Sequence, residues 1–405
     1  MSNYLYESNL YTCKSASIQL AQLLELIPID TETNPLNKTI QDEFPIKNFG
    51  DPNDTLAIKG TKELYNQYQK VIVNKIDVIE SLENLEYMGL TDKNEIILHF
   101  KAKPPIEAIK TTGIYNSRKD FFDDVFRMGK FSQFCIEKGF KDLLKENIDE
   151  LIVRLKDEKR QFRLIEHQNK WLLRGITSWD KYKNYDNNIA LYLALLSLHK
   201  YAKEKRLNFY IENAQMSDSN IDIFFEQEEP IKVNNLGYLH FGIHVSNNEI
   251  RKSPFIIQLR YKITDENNYY FNGTLKKSIL NIQHSCGIDK AKIKVGEIFK
   301  IDKFQDEILE HITKIQNTTD FTREAIYDVM NQIVHNNNLK KETKDNAKAV
   351  FKETVENTWT LIRAFNSMNE ITTDLSEKIY IEQLLHEIIA KSSNKKKQIT
   401  KQNNH

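Results

Sequence analysis

Apolar β-type runs with polar residues at their ends cluster between Gln161 and Asp289, and this stretch sets the expected architecture of the chain. Leu207–Ile211, Ile221–Phe225, Leu236–Val245 and Phe255–Ile263 are rich in Ile, Phe, Val and Tyr and read as strands. Phe162–Glu166 and Trp171–Ile176 flank His167-Gln-Asn-Lys170, a polar turn of hairpin length. Leu191, Ala194, Leu195, Leu198 and Tyr201 recur at spacings of three and four, which predicts a buried helix over Ile189–Tyr201. Hairpin-length connections favour antiparallel pairing. The pattern therefore predicts an α+β fold in which residues 161–289 form one largely antiparallel sheet with that helix packed on it.

On the N-terminal side the pattern is more broken. Residues 1–70 alternate short helical patterns with polar loops, such as Asp30-Thr-Glu-Thr-Asn-Pro35. Leu85–Leu90 and Glu95–Phe100 read as a hairpin. Pro104-Pro105 interrupts the chain, because proline neither donates to a ladder nor continues a helix. Spacing turns helical over 118–160 and again after Asp289, with helices expected over Phe304–Gln316, Thr322–Val334, Lys341–Asn366 and Thr373–Ile389. Four regions follow: an N-terminal α/β region with a hairpin (1–117), a central α+β core (118–289), a C-terminal helical region (290–390) and a basic tail (391–405) of disordered character.

Composition narrows the classes of function. The 405 residues carry 57 basic and 57 acidic side chains, so no overall field draws in nucleic acid or membrane, and any such affinity is local. Cys13, Cys135 and Cys286 are odd in number and far apart, which argues against a disulfide framework or structural zinc site and fits a reducing cytoplasm. The first residues lack the basic and apolar regions of a signal peptide, and no run reaches the roughly 18 apolar residues of a membrane span.

Candidate chemistry gathers at the ends of the apolar runs. Glu249, Asn272, His284 and Arg174 combine a carboxylate, an amide, an imidazole and a guanidinium able to position a substrate and move a proton. The plainer reading is turn chemistry, since Asn272-Gly273 is a strong turn dipeptide, with Arg174 in a salt bridge to Asp180 or Asp186. His240 and His244 share a strand face but lie about 13 Å apart, too far for one ion. No metal site is expected. Walker, Rossmann and Gly-x-Ser-x-Gly loops are lacking, so no cofactor is expected either. Arg251, Lys252, Arg260, Lys262, Lys276 and Lys277, interleaved with Tyr261, Tyr269, Tyr270 and Phe271, form a basic and aromatic set of the kind that holds single strands by charge and stacking.

Five segments, taken in order, resemble the phage/plasmid-like protein family known as domain of unknown function 932. They are Phe131–Glu137, Trp171–Asn187, Gly242–Glu249, the pair Phe271–Leu275 with Gln283–Gly287, and Asn357–Asn366. The resemblance spans roughly residues 120–390 and implies a gene carried by phages, plasmids or integrated elements; it brings no established activity. Tyr270 stands where that family often has Cys, which removes a thiol nucleophile there, and Arg251 stands where it favours Gly. Three readings result. The favoured one is a mobile-element protein binding single-stranded nucleic acid in replication, recombination or host takeover. The others are an enzyme built on Glu249, Asn272, His284 and Arg174, and a scaffold whose C-terminal helices assemble it into a homo-oligomer.

Overall fold

A computed structural model describes residues 4–29, 34–102, 108–233, 237–315, 323–337, 339–356 and 361–402. Pro104-Pro105, the Asp30–Thr33 part of the first polar loop, and residues 357–360 and 403–405 lie outside these. The strands in chain order are β1 (Glu7–Cys13), β2 (Ile58–Lys59), β3 (Lys75–Ser81), β4 (Leu85–Leu90), β5 (Ile96–Phe100), β6 (Ile109–Gly113) and β7 (Lys159–His167). There follow β8 (Lys170–Thr177), β9 (Phe209–Ser217), β10 (Asn220–Gln227), β11 (Ile231–Val233), β12 (Gly237–Asn248), β13 (Phe255–Thr264) and β14 (Tyr270–Ile282).

They build two sheets rather than one. The larger runs β1-β9-β10-β12-β13-β14, with β11 beside β12 and β2 beside β9; the smaller runs β3-β7-β8-β6-β5-β4. Pairing is antiparallel except at β2–β9 and β6–β8. The mixed α+β fold is as the pattern predicts, but the single sheet over 161–289 is not. The β7–β8 hairpin leaves the larger sheet and pairs instead with β3 and β6, strands from far earlier in the chain. Local alternation fixes a strand's two faces and is silent about its distant partner.

The hairpin itself forms as expected. Gln168 and Asn169 occupy its two central positions at φ 51° and 59°, the left-handed pair that matches the twist of a two-residue β-turn. The β4–β5 hairpin also forms. Each sheet has its own core: Tyr87, Phe100, Phe121, Phe122 and Phe162 fill that of the smaller one. The core of the larger sheet centres on the helix Asn187–Lys205, whose residues are buried on all sides from Ile189 to Leu198, as an all-apolar helix requires. Arg206 ends this helix at φ 56°, with its amide returning to the Ala202 and Lys203 carbonyls. That cap is the left-handed position glycine usually fills, so Arg206→Gly is expected to raise stability by about 1 kcal/mol in urea unfolding.

Three local expectations are corrected. Residues 7–13 form an edge strand, because Leu10 packs into the main core while its neighbours face outward. Asn272-Gly273 is not a turn: both lie inside β14, opposite Lys262 and Tyr261. Gly273 is required there by packing, since a Cβ would sit 2.3 Å from Cζ of the Tyr261 ring. The last helix, Leu375–Gln402, continues through the lysine-rich segment instead of stopping near 390, and neither Gly nor Pro occurs along it to end it.

Period-two alternation makes the larger sheet two-faced. One face, with Ile221, Ile223, Phe241, Ile243, Val245, Ile257 and Leu259, meets the Asn187–Lys205 helix in the core. The opposite face carries Asn220, Asp222, Glu226, His240, His244, Ser246, Gln258, Arg260 and Lys262. The last helix crosses this polar face, packing Leu375 and Ile379 on Phe224.

Candidate functional site

The two sheets meet where β12 ends, and this junction holds most of the predicted polar set. Glu249 follows β12 directly, and Arg174 projects from β8. Both are buried, at 1% and 0% exposure, with Arg174 Nη1 donating to Glu249 Oε2 at 2.6 Å. Lys75 of β3 donates to the same carboxylate at 2.9 Å, and the Asn187 amide donates to Oε1 at 3.0 Å. Glu249 thus caps the first turn of the central helix, where an anion faces the positive end of the helix dipole. Burial alone would raise its pKa; Lys75, Arg174 and Arg163 outweigh that and hold the carboxyl well below the usual carboxylate range.

A second buried guanidinium completes the arrangement. Arg163 of β7 binds Asp77 at 3.0 Å, Asp186 at 2.7 Å and the Glu249 carbonyl at 2.7 Å. Asp186, at the position before the helix, makes no cap with its side chain, and its Oδ2 accepts from Arg163. Lys75, Arg163 and Arg174 therefore face Glu249, Asp77 and Asp186, three cations against three carboxylates. Burial would lower the Arg163 pKa, yet the two aspartates keep it well above its ordinary value. Tyr182 donates to the Glu249 carbonyl at 2.8 Å and stacks on the His284 ring with centroids 4.8 Å apart. Burial pushes His284 towards its neutral form.

Arg174, Glu249 and His284 therefore share one junction, and Asn272 does not. It lies ten residues before the end of β14, roughly 30 Å along the strand, fully buried and with both amide atoms unpartnered among the described residues. The expected Arg174 salt bridge exists, but to Glu249 rather than Asp180 or Asp186. With its charges balanced and its carboxylate engaged by three donors, the junction is built to join the sheets. Sequence reading missed Lys75, Asp77 and Arg163, which come from the pairing of β3 with β7.

The basic and aromatic set is dispersed. Arg260 is buried between Glu212 and Glu382, with Glu382 at 2.7 and 2.9 Å, and lies over the Phe224 ring. Phe271 is wholly buried against Phe365. Burial removes both from any surface that could hold a strand. Lys262 is bound to Glu226 at 2.6 Å and Lys276 to Glu387 at 2.5 Å; Lys277 lies over Phe304, and Arg363 covers the exposed Tyr269. Arg251 pairs with Asp120 and Asp124, and it alone of the expected contact residues lines the open cleft described next.

This cleft, about 720 Å³, lies on the outer side of the junction between the turn before β7, the loop after β8 and the segment around Arg127. Trp179 stands in it 48% exposed, with Lys159 Nζ 5.6 Å from its ring centroid. Arg127, Lys159, Arg160, Lys181 and Arg251 face Asp124, Asp157, Glu158 and Asp180 around the lining, five cations to four carboxylates. Arg160 is tied to Glu158 at 2.7 Å, while Arg127 and Lys181 make no ion pair among the described residues. Among the described residues no cluster of three or more His, Cys, Asp or Glu side chains could hold a metal ion, and no helix is long and apolar enough to cross a membrane. No protein-family model, curated protein or solved structure matches the chain.

Proposed function

We propose that this chain is a mobile-element protein that binds single-stranded nucleic acid, with the cleft around Trp179 as the contact surface. The observation that carries the reading is the exposed indole beside Lys159, with uncommitted Arg127 and Lys181 on the same lining. A base stacks on an indole whatever its identity, and neighbouring cations neutralise the phosphates that flank it. Arg251 adds a second kind of support. It takes a left-handed φ of 66° at the position where the resembled phage/plasmid-like family favours Gly, the residue that adopts this region without strain.

Salt separates the two terms of binding. With a labelled oligonucleotide followed by fluorescence anisotropy, Trp179→Ala is expected to weaken binding by about 1 to 3 kcal/mol at fixed salt and leave the salt slope unchanged. Arg127→Ala and Lys181→Ala should each flatten the slope by about 0.7, the contribution of one single-strand phosphate. Absence of binding by the full chain at low salt, or wild-type affinity in Trp179→Ala, sinks the reading.

A further inference from the structure

A second cleft, about 770 Å³, opens on the polar face of the larger sheet, between the first residues of the chain, β9, β10, β12, β13 and the start of the last helix. Its floor is a set of buried polar side chains held in fixed orientations. His244 Nε2 meets Asp222 Oδ1 at 2.9 Å, and Asn220 donates to the other oxygen of that carboxylate at 2.8 Å. Gln258 gives both amide hydrogens to the Leu275 and Lys276 carbonyls, which turns its oxygen towards His244 Nδ1 at 3.4 Å. A core does not need such an array, and the volume is that of a small-molecule site.

Charges of both signs line this cleft. Lys340 pairs with Asp374, and the Asp222 carboxylate is held by His244 and Asn220. Lys252, which reaches the Tyr4 hydroxyl at 3.4 Å, and Glu7, which accepts the Tyr4 amide at 3.2 Å, remain and are opposite in sign. Neither an anion nor a cation therefore meets a lining of one sign. Beside these charges, the Ser246 and Ser253 hydroxyls and the Asn9 and Gln383 amides make no side-chain hydrogen bond among the described residues, and Ile256 and Ile379 add an apolar flank. Hydroxyls and amides beside a small apolar surface match a ligand that alternates hydroxyl groups with C–H faces.

We infer that this cleft binds a neutral saccharide, recognised by Ser246, Asn9 and Gln383 above the Asp222–His244–Gln258 floor. The site is separate from the nucleic-acid cleft and does not rest on it. Isothermal titration calorimetry of the full chain with ribose, glucose, N-acetylglucosamine and maltotriose tests it. At least one should bind at millimolar or lower concentration. Ser246→Ala and Gln383→Ala, neither of which breaks a side-chain hydrogen bond among the described residues, should each weaken that binding tenfold or more, while Trp179→Ala leaves it unchanged. Thermal melts of the two variants at the wild-type temperature assign the loss to contact with the sugar rather than to misfolding. Absence of heat with all four sugars overturns the inference, as does wild-type affinity in both variants.

Discussion

Glu249→Gln is expected to lower the stability of the whole chain by about 3 to 5 kcal/mol, the usual cost of removing one partner from a buried ion pair. The amide keeps the volume and one acceptor for the Asn187 amide, but Arg174, wholly buried, loses its counter-charge. Two of its nitrogens, Nε and Nη2, already lack partners among the described residues, so no alternative acceptor within them offsets the loss. Lys75→Met should cost clearly less, because its side chain is about a quarter exposed (23%) and water replaces part of what it gains from Glu249. Urea unfolding of the two variants checks the order. The acid limb of the wild type carries the same signature: a carboxyl held low in the folded state gives stability that is full above about pH 4.3, its unfolded pKa, and is lost as pH falls towards its folded one. Glu249→Gln should flatten that limb.

His386 should dominate at milder acidity. It lies on the last helix, with Nδ1 3.2 Å from the Tyr261 hydroxyl and its ring 6.2 Å from that of His311. Burial and the neighbouring His311 push its pKa down to about 4. An unfolded chain takes up this proton near pH 6.5 and the folded one only near 4, so the folded state loses ground as pH falls through that window. The full linkage amounts to about 3 kcal/mol, at 1.36 kcal/mol per pH unit of displacement. Unfolding free energies measured from pH 7.5 to 4 should fall more steeply for the wild type than for His386→Gln. Parallel curves would show that the ring titrates alike in both states.

Alternation along β10, β12 and β13 displayed both faces of the larger sheet in the sequence, and the apolar spacing of Ile189–Tyr201 displayed the helix beneath it. What local pattern cannot encode is partnership at a distance. The β7–β8 hairpin carries its turn in Gln168 and Asn169 but nothing that names β3 as its neighbour. At β14 the turn chemistry of Asn272-Gly273 was overruled by the Tyr261 ring, a neighbour from another strand. The polar junction was half legible. Arg174, Glu249 and His284 stood out as polar residues at strand ends, but their burial, and the presence of Lys75, Asp77 and Arg163 among them, follow from which strands pair. The same burial explains Arg260 and Phe271, which a linear reading places at a surface because charge and aromaticity say nothing of what Glu382 and Phe365 of the C-terminal helices cover.

The Glu249 carboxylate also bears on the order in which the chain comes together. Its donors on Lys75, Arg174 and Asn187 lie 174, 75 and 62 residues away along the sequence. Contacts of such separation close large loops, and their entropy must be lost before the contacts return anything, which slows folding. Each sheet can collapse on its own aromatic or aliphatic core beforehand, with these charges still hydrated. Closing the junction is then expected late, and it couples the two sheets into one native state.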